Sequence, residues 1–170
     1  LKEDGVELKP SGVPSGFLVS DQASNSSIYA FERTVNDDPN NFSGTVEDLG
    51  LEIDANFTAQ PDGIKVSGRL SDTKAEDRAV TLSFALPVDA AGWQWGDYIR
   101  QSRVIDSSAD AFSYTNSEEP DFETGPMSLY PTSAIYNELT GQALSIGVDP
   151  FKPTHYMLEY NRATKQLMIT

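Results

Sequence analysis

From Asp48 to Ala59 the chain alternates: Leu49, Leu51, Ile53, Ala55, Phe57 and Ala59 fall on odd positions, while Asp48, Glu52, Asp54, Asn56 and Thr58 fall on even ones. A period of two sends successive side chains to opposite faces of a strand, so this stretch predicts a β-strand with one buried face. Pro61-Asp62-Gly63 follows. Proline presets φ for the second residue of a turn and glycine accepts positive φ, so the triplet predicts a reversal. Ile64, Val66, Gly68 and Leu70 then alternate with Lys65, Ser67 and Arg69. Residues 48–70 are therefore expected to form a β-hairpin.

The same period recurs. Val80, Leu82, Phe84 and Leu86 alternate with Thr81, Ser83 and Ala85 before Pro87, which cannot donate to a ladder and ends the strand. Leu144, Ile146 and Val148 alternate ahead of Asp149-Pro150. Tyr156, Leu158 and Tyr160 predict another strand, residues 161–165 a turn, and residues 167–170 the return. Residues 27–35 read as a strand and 35–43 as a loop. No stretch of ten or more residues carries a helical stripe; residues 95–104 are the best helical candidate, at one or two turns. Many short strands separated by turn signals predict an all-β fold, an antiparallel β-sandwich with few or no helices. A barrel is the alternative.

A chain of 170 residues suits one core. Pro10, Pro14, Gly5, Gly12 and Gly16 mark residues 1–16 as an extended lead-in or linker. Residues 17–170 are expected to form a single β-sandwich domain. The chain starts at Leu1 and stops within a strand pattern, so it is read as a fragment of a larger protein. Twelve Lys and Arg against 26 Asp and Glu give a net charge of −14, which would repel a phosphate backbone; no nucleic-acid partner is expected. The absence of Cys excludes disulfides, thiolate nucleophiles and Cys-ligated zinc. One His excludes a multi-His metal site. No apolar run approaches the roughly 18 residues that span a bilayer, so no membrane partner is expected. Acidity without Cys points to a secreted or periplasmic bacterial protein. Sequons at Asn25, Asn41 and Asn56 are common by chance and do not argue for glycosylation.

Both tryptophans lie in Gly92-Trp93-Gln94-Trp95-Gly96-Asp97-Tyr98. In an extended chain Trp93, Trp95 and Asp97 share a face. Exposed indoles beside a carboxylate suit a sugar, whose apolar face stacks on a ring while its hydroxyls donate to the acid. Trp93, Trp95, Asp97 and Tyr98 are thus the candidate ligand-binding residues, against the alternative that the indoles belong to the core. His155 reads as a strand-face histidine on the side of Met157 and Glu159, bonded to Glu159. No Gly-x-Ser-x-Gly elbow accompanies it. Between Val104 and Phe151 eight acids (Asp106, Asp110, Glu118, Glu119, Asp121, Glu123, Glu138 and Asp149) face no Lys or Arg. They read as solvated loop acids, with Ca²⁺ the weaker alternative. No catalytic or metal-ligating residue and no cofactor is assigned. Arg78, Arg100 and Arg103 are expected in ion pairs, with Asp77 or Asp97 for example.

Three stretches carry a resemblance. They are residues 75–88 (AEDRAVTLSFALPV), residues 92–99 (GWQWGDYI) and residues 127–131 (MSLYP). In this order they resemble the N-terminal galactose-mutarotase-like "super-sandwich" domain of large secreted bacterial glycoside-hydrolase-like proteins, over roughly residues 45–170. The resemblance implies a β-sandwich that precedes a catalytic barrel, with the hydrolytic acids on that barrel; no catalytic motif transfers to this chain. The expected role is a non-catalytic β-sandwich module of a secreted carbohydrate-active protein. Its partners would be carbohydrate or an adjacent catalytic domain of the same polypeptide. Two alternatives stand beside it. One is a glycosidase or sugar epimerase using paired carboxylates such as Asp97 and Glu159. The other is a structural or adhesive surface domain.

Overall fold

The computed structural model describes residues 8, 12–22, 27–34, 38–106, 113–118, 127–152 and 154–170, with all their side chains except those of Asp97 and Glu118. The fold is all-β and antiparallel, with no helix among the described residues. The chain forms two compact units, one of residues 17–82 and one of residues 1–16 and 83–170.

In the unit of residues 17–82, β1 (Gly16–Asp21) pairs with β2 (Ile28–Ala30), Val19 standing opposite Tyr29. A meander follows: β3 (Glu32–Arg33), β4 (Asn41–Val46), β5 (Leu51–Gln60) and β6 (Gly63–Asp72), paired in that order. The alternation read from residues 48–59 is realised: Leu49, Leu51, Ile53 and Ala55 are buried and the residues between them in β5 are exposed. The burial fades toward the hairpin tip, where Ile64 and Val66 are 58% and 41% exposed. Gln60 faces Gly63, so Pro61 and Asp62 are the two turn residues and Gly63 begins β6. Gly63 has no positive φ. It occupies the position after the turn pair, where type I turns favour glycine. Positive φ falls instead on Gly50 (φ 64), which closes the turn between β4 and β5. A Cβ there would also lie 2.6 Å from Cγ of Lys74. Phe17 meets Phe42 and Phe57 at ring distances of 5.1 and 6.1 Å and caps this apolar face.

Arg78 closes the unit. Its side chain is 8% exposed and lies among three carboxylates. Nη2 pairs with Glu76, Nη1 lies 3.8 Å from Asp21 Oδ2, and Nε lies 3.2 Å from Asp72 Oδ2 without hydrogen-bond alignment. The expected ion pair exists, but its partners are not Asp77. Asp72 Oδ1 is also held by the backbone N–H groups of Lys74 and Ala75, which bends the chain back toward the guanidinium.

The chain passes from one unit to the other within β7 (Val80–Pro87). The second unit holds β8 (Gln94–Tyr98), β9 (Gln101–Val104), β10 (Ser113–Thr115), β11 (Ser117–Glu118), β12 (Met127–Ser128), β13 (Thr132–Asn137), β14 (Gln142–Gly147), β15 (Leu158–Asn161) and β16 (Gln166–Ile169). One sheet runs β10-β15-β16-β7, another runs β14-β13-β8-β9, and β11 pairs with β12. Side chains from both larger sheets meet in one core: Trp95 and Ile135 from one, Tyr114, Tyr160 and Leu167 from the other, with Val88, Ala90 and Ile105 from the connections. This is sandwich packing. Leu8 packs against the same core, and Pro14 O accepts a hydrogen bond from Gln166 Nε2 at 2.7 Å. The lead-in is therefore fastened at these two points. Residues 95–104, the helical candidate, form the β8–β9 hairpin instead. A helix there would have withdrawn Trp95 from its cross-strand partner Ile135.

Candidate functional site

Trp95 takes the core alternative. Its indole is 0% exposed, and its Nε1 makes no hydrogen bond among the described residues. Trp93 is half-buried against the same core, and its backbone is pinned by Ile105 N to Trp93 O at 2.8 Å. Trp95 therefore belongs to the core, and Trp93 packs against it with only part of its surface exposed, so the two do not form a platform of paired exposed indoles. The register of β8 explains the rest. Gly96 pairs with Ser102 and Tyr98 with Gln101, so Asp97 is the extra residue of a β-bulge. A bulge breaks strict alternation and re-aims the side chains that follow it. The Asp97 side chain lies outside the described residues.

Among the expected site residues whose side chains are described, Tyr98 is the most exposed, at 46%. It ends β8 at a two-residue turn, Ile99-Arg100. Neither residue is one that tight hairpin turns select for conformational reasons. Ile99 is 87% exposed. Beside the turn, the ring of Tyr130 meets Tyr98 edge to face, with centroids 6.1 Å apart and planes at 89°. Tyr130 is positioned by its neighbours' backbone: Leu129 N donates to Asn116 O at 3.0 Å, and Pro131 O accepts from Val148 N at 2.9 Å. Tyr98, Ile99, Arg100, Gln101 and Tyr130 line an open concavity of about 460 Å³. Two aromatic faces, one apolar tip and two hydrogen-bonding side chains can stack on a pyranose ring and bond its hydroxyls. The contact of Tyr130 with Tyr98 joins segments far apart in the sequence, which no local pattern signals. The signal available at Tyr130 itself was an aromatic residue set just before Pro131.

His155 does not lie on a strand face; it is exposed and precedes β15. Glu159 accepts a hydrogen bond from Ser113 rather than from His155, and burial raises its carboxyl above the ordinary range. Its cross-strand neighbours are Thr115 and Met168, so the ladder sets no second acid beside it. Arg103 donates from Nη2 to Thr115 O at 2.9 Å and lies 5.4 Å from the Tyr114 ring centroid. Asp106, Glu138 and Asp149 are exposed. Asp110, Glu119, Asp121, Glu123 and the side chain of Glu118 lie outside the described residues. Among the described residues no group of three His, Asp or Glu could hold a metal ion. No helix among them is long and apolar enough to cross a membrane. No family model, curated protein or solved structure matches the chain.

Proposed function

We propose that this chain is a non-catalytic, galactose-mutarotase-like β-sandwich module of a secreted carbohydrate-active protein. It packs on a catalytic domain of the same polypeptide and contacts glycan through the β8–β9 tip. The observation that supports this is the edge-to-face pair of the exposed Tyr98 and the half-buried Tyr130 beside the exposed Ile99. None of these three side chains belongs to the core of the unit, and Ile99 is 87% exposed. Such a tip matches a ligand with one apolar face and a polar rim. Tyr98 and Tyr130 replace the tryptophans as the stacking residues. Arg100 and Gln101 supply the hydrogen bonds.

Isothermal titration of the chain with soluble plant, algal and host polysaccharides tests this. Intrinsic Trp fluorescence is a poor reporter, because Trp95 is sealed in the core. The expected result is saturable binding to at least one glycan that Tyr98→Ala combined with Tyr130→Ala abolishes. Binding that persists in that double variant, or no heat with any polysaccharide, overturns the assignment.

A further inference from the structure

The outward face of β4, β5 and β6 carries an ordered polar array that the tyrosine tip does not use. Strand alternation and register place it: Asn41, Asn56 and Ser67 form one cross-strand row, and Ser43, Asp54 and Arg69 the next. These residues line a groove of about 660 Å³. Its side chains are bonded to one another in a directed relay. Thr58 Oγ1 donates to Asn56 Oδ1 at 2.7 Å, Asn56 Nδ2 donates to Asn41 Oδ1 at 2.8 Å, and Asn41 Nδ2 donates to Asp38 Oδ2 at 2.5 Å. Asp38 is itself fixed by Asn40 N, which donates to Oδ1 at 2.9 Å. In the next row Ser43 Oγ donates to Asp54 Oδ1 at 2.7 Å.

Each of these bonds holds a rotamer but leaves capacity over. A carboxamide nitrogen has two N–H groups and the relay uses one of each. Asp54 has a second oxygen. Arg69, directly across the strand from Asp54, forms no ion pair among the described residues. The groove therefore offers donors and acceptors side by side, about 5 Å apart across the strands and about 7 Å along them. Their side chains are ordered before any ligand arrives, which lowers the entropic cost of binding.

We propose that this groove is a second glycan site, separate from the tyrosine tip, that binds a neutral saccharide through adjacent hydroxyls. A hydroxyl both donates and accepts, so a vicinal pair satisfies an Asp acceptor and an Asn or Arg donor together. An anionic ligand fits poorly, because Asp38 and Asp54 stand in the same groove. The site takes a chain edge-on through hydrogen bonds, where the tyrosine tip takes a ring face.

The test is ¹⁵N-resolved NMR of the full chain, following the side-chain amides of Asn41 and Asn56 and the Nε of Arg69. The probes are cellohexaose, xylohexaose, maltohexaose and mannohexaose, with hexagalacturonate as the charged probe. The expected result is a saturable shift of the groove signals with at least one neutral hexasaccharide, with a Kd on the order of 1 mM or tighter. Asn56→Ala with Arg69→Ala weakens it about tenfold or more, which is about 1.4 kcal/mol. Asn56→Asp, which keeps the shape and removes the amide donors, weakens it too. Tyr98→Ala with Tyr130→Ala leaves it unchanged, which separates failure of this site from failure of the tip. No shift with any neutral probe, an undiminished shift in the groove variants, or binding of hexagalacturonate alone overturns the proposal.

Discussion

Trp95 in β8 stands directly opposite Ile135 in β13, and neither side chain reaches solvent. This pair joins the centre of the β14-β13-β8-β9 sheet to the core, so Trp95 is expected to act on stability and not on ligand. Trp95→Ala should cost about 3–5 kcal/mol, the range for deleting a buried indole. Trp95→Phe should cost about half of that or less, because it also removes a buried N–H without a partner, a group that costs about 1–3 kcal/mol to leave unsatisfied. Urea unfolding of both variants checks this; equal losses would mean that the indole N–H is bonded in solution.

The Tyr98–Tyr130 pair predicts the opposite pattern. Both rings sit outside the core, so Tyr98→Ala should shift stability by about 0.5 kcal/mol or less while lowering glycan affinity at least about tenfold. Ile99→Asp should do the same, since Ile99 packs on little and would put a charge against the sugar's apolar face. Paired calorimetric titration and thermal unfolding separate the two effects. A variant that loses binding and stability together would show that the tip is part of the fold.

Arg78 predicts a loss that no ligand can explain. Its guanidinium compensates Asp21, Asp72 and Glu76 together, two of them shielded from solvent. Breaking such a cluster from the cation side typically costs about 3–5 kcal/mol, because it leaves the buried anions uncompensated. Arg78→Ala should fall in that range by urea unfolding. Arg78→Lys should recover little, since a point charge on a flexible stem cannot address three carboxylates as a planar fork does. Full recovery by lysine would reduce the site to simple charge balance.

These sites differ in how far the sequence exposes them. The β5–β6 hairpin is legible because its alternation is long and one face of β5 is buried; β14 alternates as well, and the short β15–β16 return is legible from Tyr156, Leu158 and Tyr160 and the turn signals of residues 161–165. The β8–β9 hairpin is not: Arg103 stands opposite the buried Trp95, where a pattern would need an aliphatic residue, and the bulge at Asp97 breaks the period. Tryptophan and tyrosine suit a core and a binding face equally well, so composition cannot divide Trp95 from Tyr98; only the register does. The partners of Arg78 are opaque for another reason. A guanidinium can reach many of the 26 acids, and which three it meets depends on where the β6 exit and the end of β1 come together. The polar rows on β4, β5 and β6 look like the ordinary solvent face of a hairpin until the registers set Asn41 beside Asn56 and Asp54 beside Arg69.

Glu159 supplies a pH signature. Burial pushes its carboxyl up from the ordinary range, and the hydrogen bond from Ser113 offsets part of that rise. The folded chain then holds this proton to a higher pH than the unfolded chain does. The stability from this group is fully present below the unfolded pKa and is lost as pH rises through the folded one. Glu159→Gln keeps an oxygen for Ser113 and cannot ionise. The variant should therefore match the wild type near the acid end of the carboxylate range and exceed it as pH rises toward neutrality. Urea unfolding of both proteins from about pH 4 to pH 8 measures the difference directly, because the titration of every other carboxylate cancels between them. Parallel curves would show that Glu159 ionises as freely in the folded chain as in the unfolded one. A variant that loses ground as pH rises would reverse the sign and make the ionised carboxylate a stabilising group.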